Sequence, residues 1–111
     1  MFASIPGIGC LRGSAGPPAM NGLIVEAIRS RRRLRFTYNG KTRIVEPQCY
    51  GLGNRGTELL RAHQIQGGAQ PEPLFDVSKM SGLTTLNVHF IKPGPNYKKN
   101  DSAMRTIYCQ L

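Results

Sequence analysis

The sequence predicts a mainly β protein: a small five-stranded barrel preceded by one helix. Three observations carry this expectation. Only one short stretch has helical periodicity, a strictly alternating segment follows it and turns on Asn39-Gly40, and the remainder consists of short apolar runs between Gly- and Pro-bearing turns. With 13 Gly and 8 Pro among 111 residues, long helices have little room. A chain of this length buries one core without metal or disulfide support, so a two-domain enzyme is not expected.

The working domain is expected over residues 21–111. Residues 1–20 hold one charge, Arg12, and no acidic residue, and Pro6, Gly7 and Gly9 interrupt any apolar stretch that a secretory signal would need. Two readings remain open for this leader, a disordered arm and an over-extended start before Met20.

The helix begins after Asn21, a good N-cap, and Leu23, Ile24, Ala27 and Ile28 form its apolar stripe. Arg29, Arg31 and Arg32 fall near its end, where cations suit the macrodipole. Strict alternation in Arg33-Leu34-Arg35-Phe36-Thr37-Tyr38, the Asn39-Gly40 turn and the returning Lys41-Thr42-Arg43-Ile44-Val45-Glu46 predict a two-residue-loop hairpin. Its register opposes Tyr38 to Lys41, Phe36 to Arg43, Leu34 to Val45 and Arg33 to Glu46. Leu34, Phe36, Tyr38, Arg43 and Val45 then share one face.

Further strands are predicted over 57–66, with Leu60 and Ala62 on one face and Leu59, Arg61, His63 and Ile65 on the other, over 74–80 around Phe75 and Val77, and over 83–90. Residues 92–101 read as an irregular basic loop, and 104–111 as a closing helical turn or a strand. This order suggests a strongly bent sheet of the Sm-like or SH3-like type, partly closed on itself to limit exposed edges.

Function is narrowed first by charge. Lys and Arg number 15 against 6 Asp and Glu, a net charge of +9, and seven of the cations, Arg29, Arg31, Arg32, Arg33, Arg35, Lys41 and Arg43, lie within fifteen positions. Such a cluster binds phosphates through counterion release. The hairpin register divides it: Arg33 and Arg35 point away from Tyr38 and Arg43, leaving a basic patch that is either a phosphate contact or a solvated, solubilising surface. Arg43, among aromatic and aliphatic neighbours, either lays its stem over the rings with its head at the sheet edge or waits for an anion.

His63 and His89 have no partner at metal spacing, Ser78 and Ser81 sit in no nucleophile elbow, and no phosphate-binding glycine loop is present, so neither enzyme activity, metal nor cofactor is expected. Cys10, Cys49 and Cys109 fall in no zinc spacing and read as reduced thiols of a cytoplasmic protein, and no apolar run approaches the roughly 20 residues of a membrane span.

The run Glu26-Ala27-Ile28, Leu34-Arg35-Phe36-Thr37-Tyr38, Arg43-Ile44-Val45-Glu46-Pro47, Leu59-Leu60-Arg61-Ala62-His63 and Leu74-Phe75-Asp76-Val77-Ser78-Lys79-Met80 resembles a WYL domain over about residues 22–90. The Arg-x-Val-Glu-Pro element is its most specific part. The chain departs from the pattern at the name-giving triplet, which falls at Glu58-Leu59-Leu60, and at Pro73, where an Arg is common. The tail from Pro93 to Leu111 is similar to that of short, stand-alone bacterial WYL-like proteins.

The resemblance implies an Sm-like barrel that senses a ligand, often nucleic acid or a nucleotide, in bacterial transcription regulators and defence proteins. This chain has no room for a DNA-reading module beside the barrel, so output would pass through a partner or self-association. The expected ligand is anionic, single-stranded nucleic acid or a nucleotide. Arg43 and Lys79 would hold phosphate, Tyr38 would stack a base, and Arg61 and His63 would orient it. The alternative is a protein-interaction or oligomerisation module whose charge serves only solubility.

Overall fold

The computed structural model describes residues 21–111, so the leader expected over 1–20 lies outside it. Asn21 starts the helix α1 (Gly22–Ser30): its side-chain oxygen accepts from the amides of Leu23 and Ile24 at 3.0 and 3.2 Å, satisfying donors that the first turn leaves free. Arg31 ends it in the left-handed region at φ 55, its amide returning to the carbonyls of Ala27 and Ile28. That conformation is uncommon outside glycine, and contacts from the far end of the chain hold it: Phe90 N donates to Arg31 O at 2.9 Å, and Arg31 Nη1 donates to Ile91 O.

The strands follow as β1 (Arg32–Tyr38), β2 (Lys41–Gly53), β3 (Glu58–Gln66), β4 (Leu74–Asp76), β5 (Ser81–His89) and β6 (Met104–Gln110), all antiparallel to their neighbours. The β1–β2 register is the predicted one, Leu34 opposite Val45, Phe36 opposite Arg43 and Tyr38 opposite Lys41. Asn39 at φ 52 and Gly40 at φ 76 make the turn, both central residues taking the positive φ that a tight hairpin of this twist requires.

The strands run in the order β4-β3-β2-β1-β5, with β6 added beside β2. β2 organises the sheet. Its first half pairs with β1, its second half with β6, and β3 accompanies both along the other edge. The register shifts between Pro47 and Cys49, where Pro47 has no amide to offer the ladder.

Two expectations are corrected. Among the described residues there are six strands, not five, and the sheet is open rather than closed into a barrel. The predicted strand 74–80 stops at Asp76, whose carboxylate caps the 3-10 turn Val77–Lys79 by accepting from Ser78 N at 3.0 Å and Ser78 Oγ at 2.6 Å. The turn takes the chain out of the ladder, so β4 remains three residues long and does not bridge to β5. The open choice at 104–111 resolves as a strand.

α1 lays Ile24, Val25, Ala27 and Ile28 on one face of the sheet, over Leu34, Phe36, Val45, Tyr50, Leu60, Ala62, Phe75 and Tyr108. That apolar burial is the main stabilising term. Cys49 is a free, buried thiol. Cys109 is disulfide-bonded, so the reading of three reduced thiols, and with it the argument for a reducing compartment, does not hold for that residue. Among the described residues no helix is long and apolar enough to cross a membrane.

Candidate anion-binding site

Tyr38 and Arg43 meet at the hairpin end of the core face. Phe36, Tyr38 and Phe75 form a three-ring cluster of edge-to-face pairs, with centroids 5.0 Å apart for Phe36–Phe75 and 4.9 Å for Tyr38–Phe75. The Arg43 guanidinium lies over it, 5.6 Å from the Tyr38 centroid and 6.0 Å from that of Phe75. Its hydrogen bonds go to neutral groups only. Nε and Nη2 donate to the Tyr38 carbonyl at 3.3 and 3.1 Å, and Nη1 donates to Gln64 Oε1 at 3.2 Å.

A half-buried cation is thus fixed by dipoles and π-faces, and among the described residues no carboxylate pairs with it. Asp76, brought to this end by the hydrogen bond that its backbone amide donates to Tyr38 Oη at 3.0 Å, uses Oδ1 to cap its own turn.

Lys79 is exposed on the 3-10 turn. That turn is bracketed by Asp76, on the Tyr38 hydroxyl, and Ser81, paired with Thr37, so the backbone sets Lys79 beside the end of β1. Tyr38, Arg43 and Lys79 therefore belong to one neighbourhood. Arg61 and His63 do not: β3 turns Leu60, Ala62 and Gln64 inward and these two outward. The five residues expected to share one ligand are divided between opposite faces of the sheet.

On that outer face Arg61 donates from Nε to Asp101 Oδ2 at 2.8 Å and from Nη1 to the Glu72 carbonyl at 3.2 Å. His63 Nδ1 is buried without a hydrogen-bond partner among the described residues. Gly94 lies so close to it that a Cβ there would stand 2.8 Å from Nδ1 and 2.9 Å from Glu72 Oε2.

The basic patch is also divided. Arg32 Nε donates to the Leu86 carbonyl at 3.1 Å, and Arg33 pairs with Glu46 at 2.9 Å across the predicted register. Arg29, Arg35 and Lys41 are exposed and have no charged partner among the described residues.

The sequence reading named Tyr38 and Arg43 but not the groups that shape their site. Gln64 was readable from alternation with Ala62. Gly67 and Gly68, in the loop between the strands expected over 57–66 and 74–80, press on Arg43: a Cβ on Gly67 would stand 2.5 Å from the Thr42 carbonyl and 2.7 Å from Arg43 Cδ, and one on Gly68 would stand 2.8 Å from Arg43 Nη1. Among the described residues no cluster of three or more His, Cys, Asp or Glu is placed to hold a metal ion.

Fold and site together describe a small mainly β protein with a cation on an aromatic platform. No family model, curated protein or solved structure matches the chain.

Proposed function

We propose that this protein is a non-enzymatic binding module of WYL type, its bent sheet related to the Sm-like barrels, and that it takes an anionic ligand, single-stranded nucleic acid or a nucleotide, at the Tyr38–Arg43 end. The observation that carries the reading is Arg43: a half-buried guanidinium with neutral partners only, beside the exposed Lys79. An arriving phosphate would supply the missing counter-charge, and a base would stack on the guanidinium plane. In this reading Tyr38, its hydroxyl engaged by Asp76 and its ring against Arg43 and Phe75, would support the platform, and Arg43 would be its outward surface. In a WYL-type reading, ligand binding would serve regulation through a partner.

The test is fluorescence anisotropy with a short single-stranded oligonucleotide across a salt series. Arg43→Ala is expected to weaken binding and to flatten the slope of log K against log salt by about one, the loss of one phosphate contact. Arg43→Lys, keeping the charge but not the planar fork, should retain the slope and bind more weakly. An unchanged slope in a folded Arg43→Ala protein overturns the proposal.

A second reading is favoured by one feature of the surface. β5 ends the sheet order, and Val88 within it and Ile91 just after it are 43% and 89% exposed, so its edge is open to pairing with another chain. This interaction or oligomerisation module would show, in light scattering, an assembly of fixed mass whether or not oligonucleotide is present.

A further inference from the structure

Residues 92–103 cross the outer face of β2 and β3 as a strap, fastened by a polar network. Glu72 accepts from Gln48 Nε2 at 3.1 Å and from the Asn96 amide at 2.6 Å, and the Gly94 amide donates to Gln48 Oε1 at 2.6 Å. Asp101 takes Arg61 on Oδ2 and the Ala103 amide on Oδ1 at 3.0 Å. Between the strap and Arg61 lies a cleft of about 370 Å³, within the size range of small-ligand sites.

The cleft's charges are unequally occupied. Its walls carry Arg61, Lys98 and Lys99 against Glu72 and Asp101. Both carboxylates are consumed in holding the strap, each oxygen accepting a bond. The ammonium groups of Lys98 and Lys99 and the hydroxyl of Ser102 have no partner among the described residues. What remains free to face a ligand is a set of donors around a positive charge, the arrangement that receives an oxyanion.

We propose that this cleft is a second anion site, on the face of the sheet opposite Arg43, which binds the phosphate group of a small ligand through Lys98, Lys99 and Ser102. Arg61 is the positioning residue, holding Asp101 and so the strap that carries the three. The site stands independently of the reading at Arg43. Inorganic phosphate, a mononucleotide and the end of an oligonucleotide share the chemistry it recognises.

Calorimetric titrations of the full chain at fixed ionic strength separate these sources, with inorganic phosphate, adenosine 5′-monophosphate and adenosine as probes. Inorganic phosphate and the monophosphate are expected to bind at up to millimolar concentration, and adenosine not to bind. In the double variant Lys98→Gln/Lys99→Gln both affinities should fall at least about tenfold, two charge-assisted contacts being lost, while Ser102→Ala costs about threefold.

A control that removes equal charge elsewhere, Lys41→Gln/Arg55→Gln, should leave inorganic phosphate binding unchanged. All these lysines, Arg55 and Ser102 are exposed, so the fold is not at risk. The proposal is overturned if the Lys98→Gln/Lys99→Gln protein binds like the parent, if the charge control loses as much, if adenosine binds as well as its monophosphate, or if no phosphate probe binds.

Discussion

At the scale of single residues, the pair Arg61–Asp101 decides how the outer face is built. The Asp101 carboxyl is pushed up by burial, but the Arg61 hydrogen bonds, the Ala103 amide and the guanidinium charge outweigh this and hold it below its ordinary value. A group whose pKa is lower folded than unfolded contributes stability above its unfolded value, about 3.9 for Asp, and that contribution is lost as pH falls through the folded value. Asp101→Asn should therefore cost about 1–2 kcal/mol in urea denaturation at neutral pH, the range for partly buried charged hydrogen bonds. The difference between variant and parent should shrink as pH falls below the ordinary carboxylate value and through the lower value that Asp101 has in the folded protein. A pH-independent difference would show that the carboxylate charge is not what fastens the strap. Beside this pair, burial and then Asp101 push the Cys49 thiol up to about 11, and its Sγ rests 3.5 Å from Met104 Sδ. Cys49 is thus a packing residue, kept protonated.

At the scale of elements, the loop that follows β3 is as much a part of the Arg43 site as the strands. Gly67, at φ +116, sits where a side chain would strike the Thr42 carbonyl and the Arg43 stem. Gly67→Ala combines a strained backbone with that overlap, so it should destabilise the fold by about 1–3 kcal/mol. Because the displaced atom is Arg43 Cδ, it should also weaken oligonucleotide binding, read in the same anisotropy assay after thermal denaturation has confirmed folding. Binding unchanged in a destabilised Gly67→Ala protein would separate the loop from the site. Legibility in the sequence follows how local each determinant is. The α1 cap and the β1–β2 hairpin were legible because their determinants are local: Asn21 beside its own first turn, alternation, and Asn39-Gly40. The end of β4 and the nature of β6 were not. Asp76 ends its strand by capping a 3-10 turn, a choice that alternation in 74–80 conceals, and β6 is a strand only because β2 offers it an edge. The division of Tyr38 and Arg43 from Arg61 and His63 was half legible: the period-two pattern placed Arg61 and His63 opposite Leu60, but which face of β3 met Arg43 depended on the β2–β3 register, Val45 opposite Gln64.

At the scale of the whole molecule, the last strand completes a core that the earlier ones leave uncovered. β1 pairs with β2 only from Lys41 to Val45, so the second half of that edge is exposed until β6 occupies it from Cys49 to Gly53. β6 brings Met104, Tyr108 and Cys109 into the interior. It also sets the Tyr108 ring 5.3 Å from that of Tyr50, the fully buried side chain whose hydroxyl accepts from the Asn21 amide at 2.7 Å and donates to Glu58 Oε1 at 2.6 Å. Burial, and then the Glu58 hydrogen bond and charge, push the Tyr50 hydroxyl up against the opposing pull of the Asn21 amide, so it stays protonated as that donor. Tyr50 thereby ties the start of α1 to β2 and β3, and β6 is what covers it. Removing a buried methionine or a large aromatic costs about 2–5 kcal/mol each, against a total stability of about 5–15 kcal/mol for a domain of this kind. A chain ending at Ala103 loses both, the β2–β6 ladder and the cover over Tyr50, so it should fail to fold as a unit. Its expected signature is loss of the near-ultraviolet circular dichroism of the tyrosines and of a cooperative thermal transition. If the shortened chain instead melts cooperatively near the parent temperature, β6 is an accessory strand and the core closes between α1, β1, β2 and β3 alone.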